Sequence, residues 1–466
     1  MPFEIPSDLM VSVSGVRGRV GAGLTPEVVA RFAAAFGAFI RERSGEDHPR
    51  IVLARDSRTS GPMFARIVAG ALQSVGCDVT DIGLAPTPTA LYNIRQLKAA
   101  GGIVVTASHN PVEWNALKFA SDEGMFLDAD QAAAMRKYLN ERPLPWAKWD
   151  AIGTVQSDAD AVSRHIEAVL GIPYLDLDAL KDRRFRVALD CVHGAGSVLL
   201  PQLLELLGCE VIGIGLQADG HFPREPEPIA ANLGDLERLV VQHKADIGLA
   251  TDPDADRLSL VSNNGKAIGE DFTLALASMV VLNHNPGPVV TNLSTSRVLE
   301  DVTRAAGVEL IRAPVGEINV ARAMQRAGAV IGGEGNGGVI LPDIHHTRDC
   351  AIAAALVLQL LVETGQTVQE LVSAQTPYVI VKDKLPRDSG DLEGAYARLE
   401  KNMGAPASDR QDGLRLDWPS EKRWVHLRAS GTEPILRIIA EAPSEAEARA
   451  LIDSARTALS PAPARP

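Results

Sequence analysis

The residues best suited to chemistry gather in four short polar segments, each set against an apolar run. Thr106-Ala107-Ser108-His109-Asn110-Pro111 closes the β-branched run at 102–105. A serine at a strand end, flanked by His109 and Asn110, is suited to act as a nucleophile or a phosphate carrier. The same letters also write an Asn-Pro turn with a capping serine. Downstream, Lys118 adds a fixed cation. In Thr251-Asp252-Pro253-Asp254-Ala255-Asp256-Arg257 three aspartates alternate, so an extended loop presents all three carboxylates to one side. Converging carboxylates repel unless a hard cation sits between them, and oxygen-only ligands favour Mg²⁺, Mn²⁺ or Ca²⁺ over zinc. The segment lacks the glycine and distant glutamate of an EF-hand. A solvated acidic turn is the alternative, and the apolar runs at 246–249 and 258–261 on either side argue against it.

Gly332-Gly333-Glu334-Gly335-Asn336-Gly337-Gly338 lets backbone approach a ligand closely, and Glu334 with Asn336 supplies acceptors and donors suited to sugar hydroxyls. A flexible hairpin turn would read the same, and no nucleotide fingerprint is present. Arg428-Ala429-Ser430-Gly431-Thr432-Glu433-Pro434, with Arg437 just beyond, combines arginine, two hydroxyls and free amides into a phosphate cradle, or else a capped turn. Together the four segments predict a phosphoryl-transfer enzyme acting on a phosphorylated sugar. The adjacent His345 and His346 are expected to be solvated rather than metal ligands.

The elements that must position these segments follow an alternating grammar. Apolar strand-like runs at 51–53, 77–82, 102–105, 185–189, 209–214, 246–249, 288–291, 308–311 and 329–331 alternate with helical patterns. The 466 residues therefore read as α/β: three tandem related modules with mixed, mostly parallel sheets, followed by a C-terminal α+β domain. Composition shifts place the boundaries at 1–150, 151–257, 258–373 and 374–466. An Ala/Leu-rich helix is expected over 350–362, and a last helix over 444–459 with a serine N-cap.

Lys and Arg number 46 against 59 Asp and Glu, a net charge of -13. That balance excludes a broad nucleic-acid or anionic-membrane surface while leaving room for a local basic pocket. Cys77, Cys191, Cys209 and Cys350 show no paired spacing and read as core thiols in a reducing compartment. No secretory leader or membrane span is evident, so a cytoplasmic protein, monomer or homodimer, is expected.

In this order the four segments resemble the α-D-phosphohexomutase family, which includes phosphoglucomutase, phosphomannomutase and phosphoglucosamine mutase. The likeness runs from Ser14-Gly15-Val16-Arg17-Gly18 to the segment at Arg428. It implies four domains around a central cleft, Ser108 carried as phosphoserine, and one Mg²⁺ on Ser108, Asp252, Asp254 and Asp256. It further implies that hexose 6-phosphate and hexose 1-phosphate interconvert through a bisphosphorylated hexose. His109, Lys118 and Arg257 would assist at the serine, and Arg17, Arg55 and Arg58 would line the cleft. Glu334, Asn336, Gly337 and Glu317 would meet the sugar, and Arg428, Ser430, Gly431, Thr432 and Arg437 its distal phosphate. The sequence RASGTEP and the acid after glycine in Pro314-Val315-Gly316-Glu317 resemble phosphoglucosamine mutases, so glucosamine phosphate is the expected substrate. Asn336 and Gly338 depart from the commoner GExSGH pattern, and Pro253 and Ala255 stand where glycines are common. The alternatives are a broad phosphomannomutase/phosphoglucomutase, a phosphatase or kinase on the same metal loop, and a non-catalytic sugar-phosphate binder.

Overall fold

The computed structural model describes residues 3–13, 15–386, 392–429 and 435–459. Three of its four sheets repeat one topology. In each, a first strand (Arg50–Arg55, Arg186–Asp190, Val289–Asn292) lies between two others parallel to it. Its neighbours are a second strand (Asp78–Leu84, Glu210–Ile214, Leu310–Ala313) and a third (Gly101–Val105, Ile247–Thr251, Ile331–Glu334). A fourth strand (Trp114–Ser121, Leu258–Ser262, Gly338–Ile340) folds back antiparallel on the third. The serine, aspartate and glycine-rich segments are therefore the same connection in three copies: the turn from third strand to fourth, at the carboxyl end of a parallel strand where α/β sheets bind ligands.

The sheets also redraw two expected boundaries. Leu258–Ser262 pairs with Ile247–Thr251, so the second module runs past Arg257, because the aspartate turn is internal to its sheet. Val155–Ser157 pairs with Asp78–Leu84, so the first sheet runs past residue 150. A hairpin of Met10–Ser12 and Gly15–Arg19 widens the first sheet at its other edge and pairs Gly18 with Asn115.

Local signals account for the helices. Pro26–Ser44 opens on Thr25, whose hydroxyl accepts from Val28 N at 3.4 Å, and closes on Gly45 at φ 70°. Cys350–Thr364 is apolar on every side and runs through a core shared by the second and third modules, as a helix without a polar face must. All four cysteines are buried as free thiols. The C-terminal sheet is antiparallel, in the order Val379–Pro386, Ile435–Ala442, Arg423–Ala429, Leu414–Trp418, Ala407–Asp409. Helices Leu392–Met403 and Glu445–Leu459 pack together on its apolar face. Among the described residues, no helix is long and apolar enough to cross a membrane.

Candidate active site

A cavity of about 570 Å³ opens between the modules, lined by Arg17, Ser108, His109, Lys118, Arg257, Glu317, Glu334, Asn336, Arg348, Arg428 and Arg437 among others. Seven of the expected site residues outside the aspartate trio thus share one cleft with Arg17, as do two arginines from the C-terminal sheet. Ser430, Gly431 and Thr432 lie outside the described residues, as does Ser14.

Ser108 is held by its backbone. Its φ of 49° is the left-handed region, strained for a side-chain-bearing residue. Its N–H donates to Thr106 Oγ1 at 3.0 Å, and its carbonyl accepts from Arg58 Nη2 at 2.6 Å. Arg58 is fully buried and also donates to the carbonyls of Asn110, Pro111 and Trp114 at 2.6–2.9 Å. Asp56 neutralises it at 3.0 Å. Arg58 therefore does not line the cleft: it is spent on the carbonyls of the serine turn beneath it. Arg55 donates to Asp56 O at 3.1 Å and is absent from the lining. So is Gly337, at φ 88°, where a Cβ would come within 2.5 Å of Leu258 O. That glycine seats the glycine-rich turn on the aspartate turn.

The aspartates are fully buried, and one oxygen from each lies within 4.8 Å of the others. Ser108 Oγ donates to Asp252 Oδ2 at 2.8 Å. Asp254 Oδ2 accepts from Lys118 Nζ at 2.7 Å and from Thr87 Oγ1 at 2.6 Å. Asp256 Oδ2 accepts from Arg348 Nη2 at 2.5 Å. Asp254 Oδ1 and Asp256 Oδ1 are buried without a hydrogen-bond donor. Buried acceptors are rarely left so, and an oxygen-only set with two orphaned atoms fits a hard divalent cation such as Mg²⁺. Burial and the charges of Asp256 and Asp254 push the Asp252 carboxyl well above its usual range. Asp254 stays low despite burial because Lys118 sits on it, and the same two carboxylates hold Lys118 above its usual value against burial.

His109 Nδ1 lies 3.5 Å from Ser108 Oγ. Burial, with Arg257 and Arg17 beside it, pushes its pKa down to about 2, so the ring is a neutral acceptor. Arg17 is lowered by burial and by the charges of Arg257 and Arg437. On the C-terminal sheet Arg428 pairs in register with Arg437, and Arg437 with Lys384. Like charges abreast on adjacent strands are destabilising by themselves, and the three in register concentrate positive charge there. Lys384 was not expected; it lines an adjoining pocket with His109, Arg428 and Arg437, and only the strand register reveals it.

Arg348 is the other unexpected member. Its guanidinium reaches Asp256, Glu334 Oε2 at 2.7 Å and Glu317 Oε2 at 3.3 Å. Glu317 also accepts from the Thr347 hydroxyl and from Arg348 N at 3.2 Å. Glu334 Oε1 accepts from Asn292 Nδ2 at 2.9 Å and Gly316 N at 3.0 Å. Arg348 thus joins the aspartate turn to both candidate sugar-binding acids. The signal was an Arg-Asp pair placed directly before a helix whose first nine residues are apolar, a position that buries both charges.

His345 is fully buried, against expectation, and its Nε2 lies 2.8 Å from Asp349 Oδ2, which His165 Nε2 approaches at 2.7 Å. Those separations are hydrogen bonds; donors on a tetrahedral ion would stand roughly 3.3 Å apart. Asp349 leaves neither oxygen unused, since Oδ1 caps Cys350–Thr364 through Ala351 N at 2.8 Å.

Profiles of the phosphoglucomutase/phosphomannomutase family match nearly the whole chain: alpha/beta/alpha domain I over residues 9–144, domain II over 163–265, domain III over 269–378 and the C-terminal domain over 379–458. The chain is 38% identical over 94% of its length to a protein of Thermococcus kodakarensis named phosphoglucomutase/phosphomannomutase, covering 96% of that relative. It is 37% identical to a probable phosphoglucosamine mutase of Methanopyrus kandleri, covering 94% of this chain and 95% of the other. The crystal structure of a phosphoglucomutase/phosphomannomutase family protein from Burkholderia thailandensis superposes with a TM-score of 0.84 at 27% identity, covering 97% and 96% of the two chains. With its three repeated turns facing one cleft and these matches spanning all four domains, the chain belongs to the phosphoglucomutase/phosphomannomutase family, and is an isomerase of the phosphohexomutase kind.

Proposed function

We propose that the protein interconverts hexose 6-phosphate and hexose 1-phosphate through phosphoserine 108, with glucosamine phosphate as its preferred substrate. The observation that carries this is Ser108 Oγ, 2.8 Å from Asp252 in front of a buried aspartate trio, sharing one cleft with Arg428 and Arg437. A phosphoryl donor and a distal anion grip facing each other suit a substrate phosphorylated at one end and accepting at the other.

In the forward half-reaction the Oγ–phosphorus bond of phosphoserine 108 breaks while a bond forms from the free sugar hydroxyl to that phosphorus. The proton lost by the hydroxyl is balanced by the one the departing serine oxygen takes up. Neutral His109, whose ring resists protonation, can accept a hydrogen bond from the hydroxyl, and Lys118, held charged by Asp254, offsets negative charge on that serine oxygen. A divalent cation on Asp252, Asp254 and Asp256 would stabilise the charge spread over the transferring group. Glu334 and Asn336 orient the ring by its hydroxyls, while Arg428, Arg437 and the segment 430–432 hold the distal phosphate. Once reversed in the cleft, the bisphosphate returns its other phosphoryl group to Ser108.

The glucosamine preference rests on the motif RASGTEP, on Glu317 in the cleft, and on relatives named probable phosphoglucosamine mutase at 37% and 35% identity. A broad phosphoglucomutase/phosphomannomutase is the second reading, favoured by the name of the relative at 38%. Turnover of glucosamine, glucose and mannose 1-phosphates is compared by kcat/KM with Mg²⁺ and a hexose bisphosphate, with Ser108→Ala as control. A clear lead for the amino sugar is expected, and comparable rates would establish the broad enzyme. Turnover surviving in Ser108→Ala would overturn the phosphoserine route.

A further inference from the structure

The grip on the distal phosphate and the hold on the sugar belong to different domains, yet one carboxylate touches both. Asp412 stands in the turn that enters Leu414–Trp418, followed by Gly413 at φ 84°, where a Cβ would come within 2.2 Å of Leu427 O. Only glycine fits there, so the turn fixes where Asp412 points. Its Oδ2 accepts from Val315 N at 3.0 Å, in the segment that carries Gly316 and Glu317. The same oxygen pairs with Arg428 Nε at 3.1 Å as a charge contact. Next along, Gly316 N donates to Glu334 Oε1 at 3.0 Å, and Glu334 in turn holds Arg348.

A second bridge runs beside the first. His426 Nε2 lies 2.7 Å from the Asp412 carbonyl, which only accepts, so that nitrogen carries the proton and Nδ1 receives the Ser294 hydroxyl at 2.9 Å. Ser294 N donates to Asn292 Oδ1 at 2.8 Å, and Asn292 Nδ2 reaches Glu334. Burial pushes His426 down to about 4, which keeps the ring in the neutral form this bridge requires.

We propose that Asp412 is a positioning residue that holds the guanidinium of Arg428 by its Nε edge and fixes it against the 314–317 segment, so that phosphate grip and sugar hold engage together. An ion pair on the Nε side, made without a hydrogen bond, leaves the terminal nitrogens for the bidentate contact a phosphate prefers. The inference rests on the phosphohexomutase reading for its readout in turnover, but not for its readout in binding.

Asp412→Asn keeps an acceptor for Val315 N and the shape of the turn while removing the charge that orients Arg428. Losing one charge-assisted contact weakens binding about tenfold. The expected result is a KM for hexose monophosphate raised by about that factor, with kcat and Tm near wild type. Turnover should also depend more steeply on added hexose bisphosphate, because a loosened intermediate escapes before it reverses. Calorimetric binding of inorganic phosphate to the same variant is measured alongside, with Arg428→Ala and the double variant completing a cycle. The effect of Asp412→Asn should vanish in the Arg428→Ala background. Unchanged phosphate affinity, or equal losses in both backgrounds, would overturn the inference even in a protein that turned over no hexose phosphate. A wild type that binds phosphate through this pair yet isomerises nothing would instead overturn the functional reading alone.

Discussion

Two buried clusters built around carboxylates lie side by side, and consecutive residues serve them. Arg348 sends its guanidinium to Asp256 in the aspartate trio, while Asp349 turns the other way to receive His165 and His345. Both sets have three potential ligand atoms within 4.8 Å, and both are fully buried. They differ in what is left over. The trio strands Asp254 Oδ1 and Asp256 Oδ1 without donors, whereas Asp349 has donors on both oxygens: two imidazoles on one, helix amides on the other. His165 is further fixed by Thr89 Oγ1 at 2.9 Å from its Nδ1. Proximity alone does not mark a site for a hard cation; unused carboxylate oxygens point to one, because burying them costs about 1–3 kcal/mol each unless something arrives to use them. The trio has the donor set and the unused oxygens that a divalent cation would take. In the His165–Asp349–His345 set the carboxylate is fully used and the atom left over is an imidazole nitrogen, His345 Nδ1; through Thr89 the set joins segments of three modules.

The sharpest way to break this comparison is to spoil the trio without emptying its space. In Asp254→Asn the carboxylate that Lys118 and Thr87 hold becomes a neutral amide. Activation by Mg²⁺ should shift to much higher concentration, and kcat at saturating substrate should fall by about 10²–10³-fold, the usual cost of removing one group that stabilises a charged transition state. Wild-type protein should gain about 2.7 kcal/mol of unfolding free energy at a Mg²⁺ concentration 100 times Kd. The variant should gain far less. An undiminished Mg²⁺ response in urea titrations of the variant would show that the orphaned oxygens are not ligands.

The histidine cluster should respond to protons instead. Burial holds the His345 pKa below its ordinary value, although Asp349 works against the shift. The unfolded chain takes up a proton near pH 6.5 that the folded site refuses. The contribution of this group is therefore complete above about pH 6.5 and is lost as pH falls below it, by at most about 1.4 kcal/mol per pH unit. His345→Gln retains a donor for Asp349 and cannot titrate. Urea midpoints measured between about pH 5 and 7 should fall less steeply in the variant than in wild type. Equal slopes would mean that His345 is charged in the folded protein.

How far the sequence reveals these two regions follows from how each is built. Ser108, the three aspartates and Glu334 are legible because each sits in a contiguous polar segment between apolar runs, and the strand alternation that places those segments is equally local. What the sequence hides is register and burial. Lys384 joins Arg437 and Arg428 only through pairing of strands that are distant in the chain. Arg58 reads as one more cleft cation, yet its partners are backbone carbonyls, which carry no side-chain signature. His345 reads as solvated because His165, far away in the chain, is what encloses it. Leu258–Ser262 belongs to the second module because a β-turn and a domain boundary look alike in one dimension.

The smallest effect tests a difference in backbone. Ala255, between two of the aspartates, holds φ at 56°, a conformation that costs a non-glycine residue about 1–2 kcal/mol. Neither His165, His345 nor Asp349 is so strained. Ala255→Gly would release that strain, but it removes a fully buried methyl worth about 0.8 kcal/mol. It also adds about 0.4–1 kcal/mol of freedom to the unfolded chain. The terms nearly cancel, so the unfolding free energy should change by less than about 1 kcal/mol, measured by urea titration with and without Mg²⁺. A gain of more than about 2 kcal/mol would mean that the turn stores more strain than its φ alone accounts for. A comparable loss would mean that the methyl is what holds the aspartates together, and the alanine would then be a requirement of this turn rather than a tolerated departure from glycine.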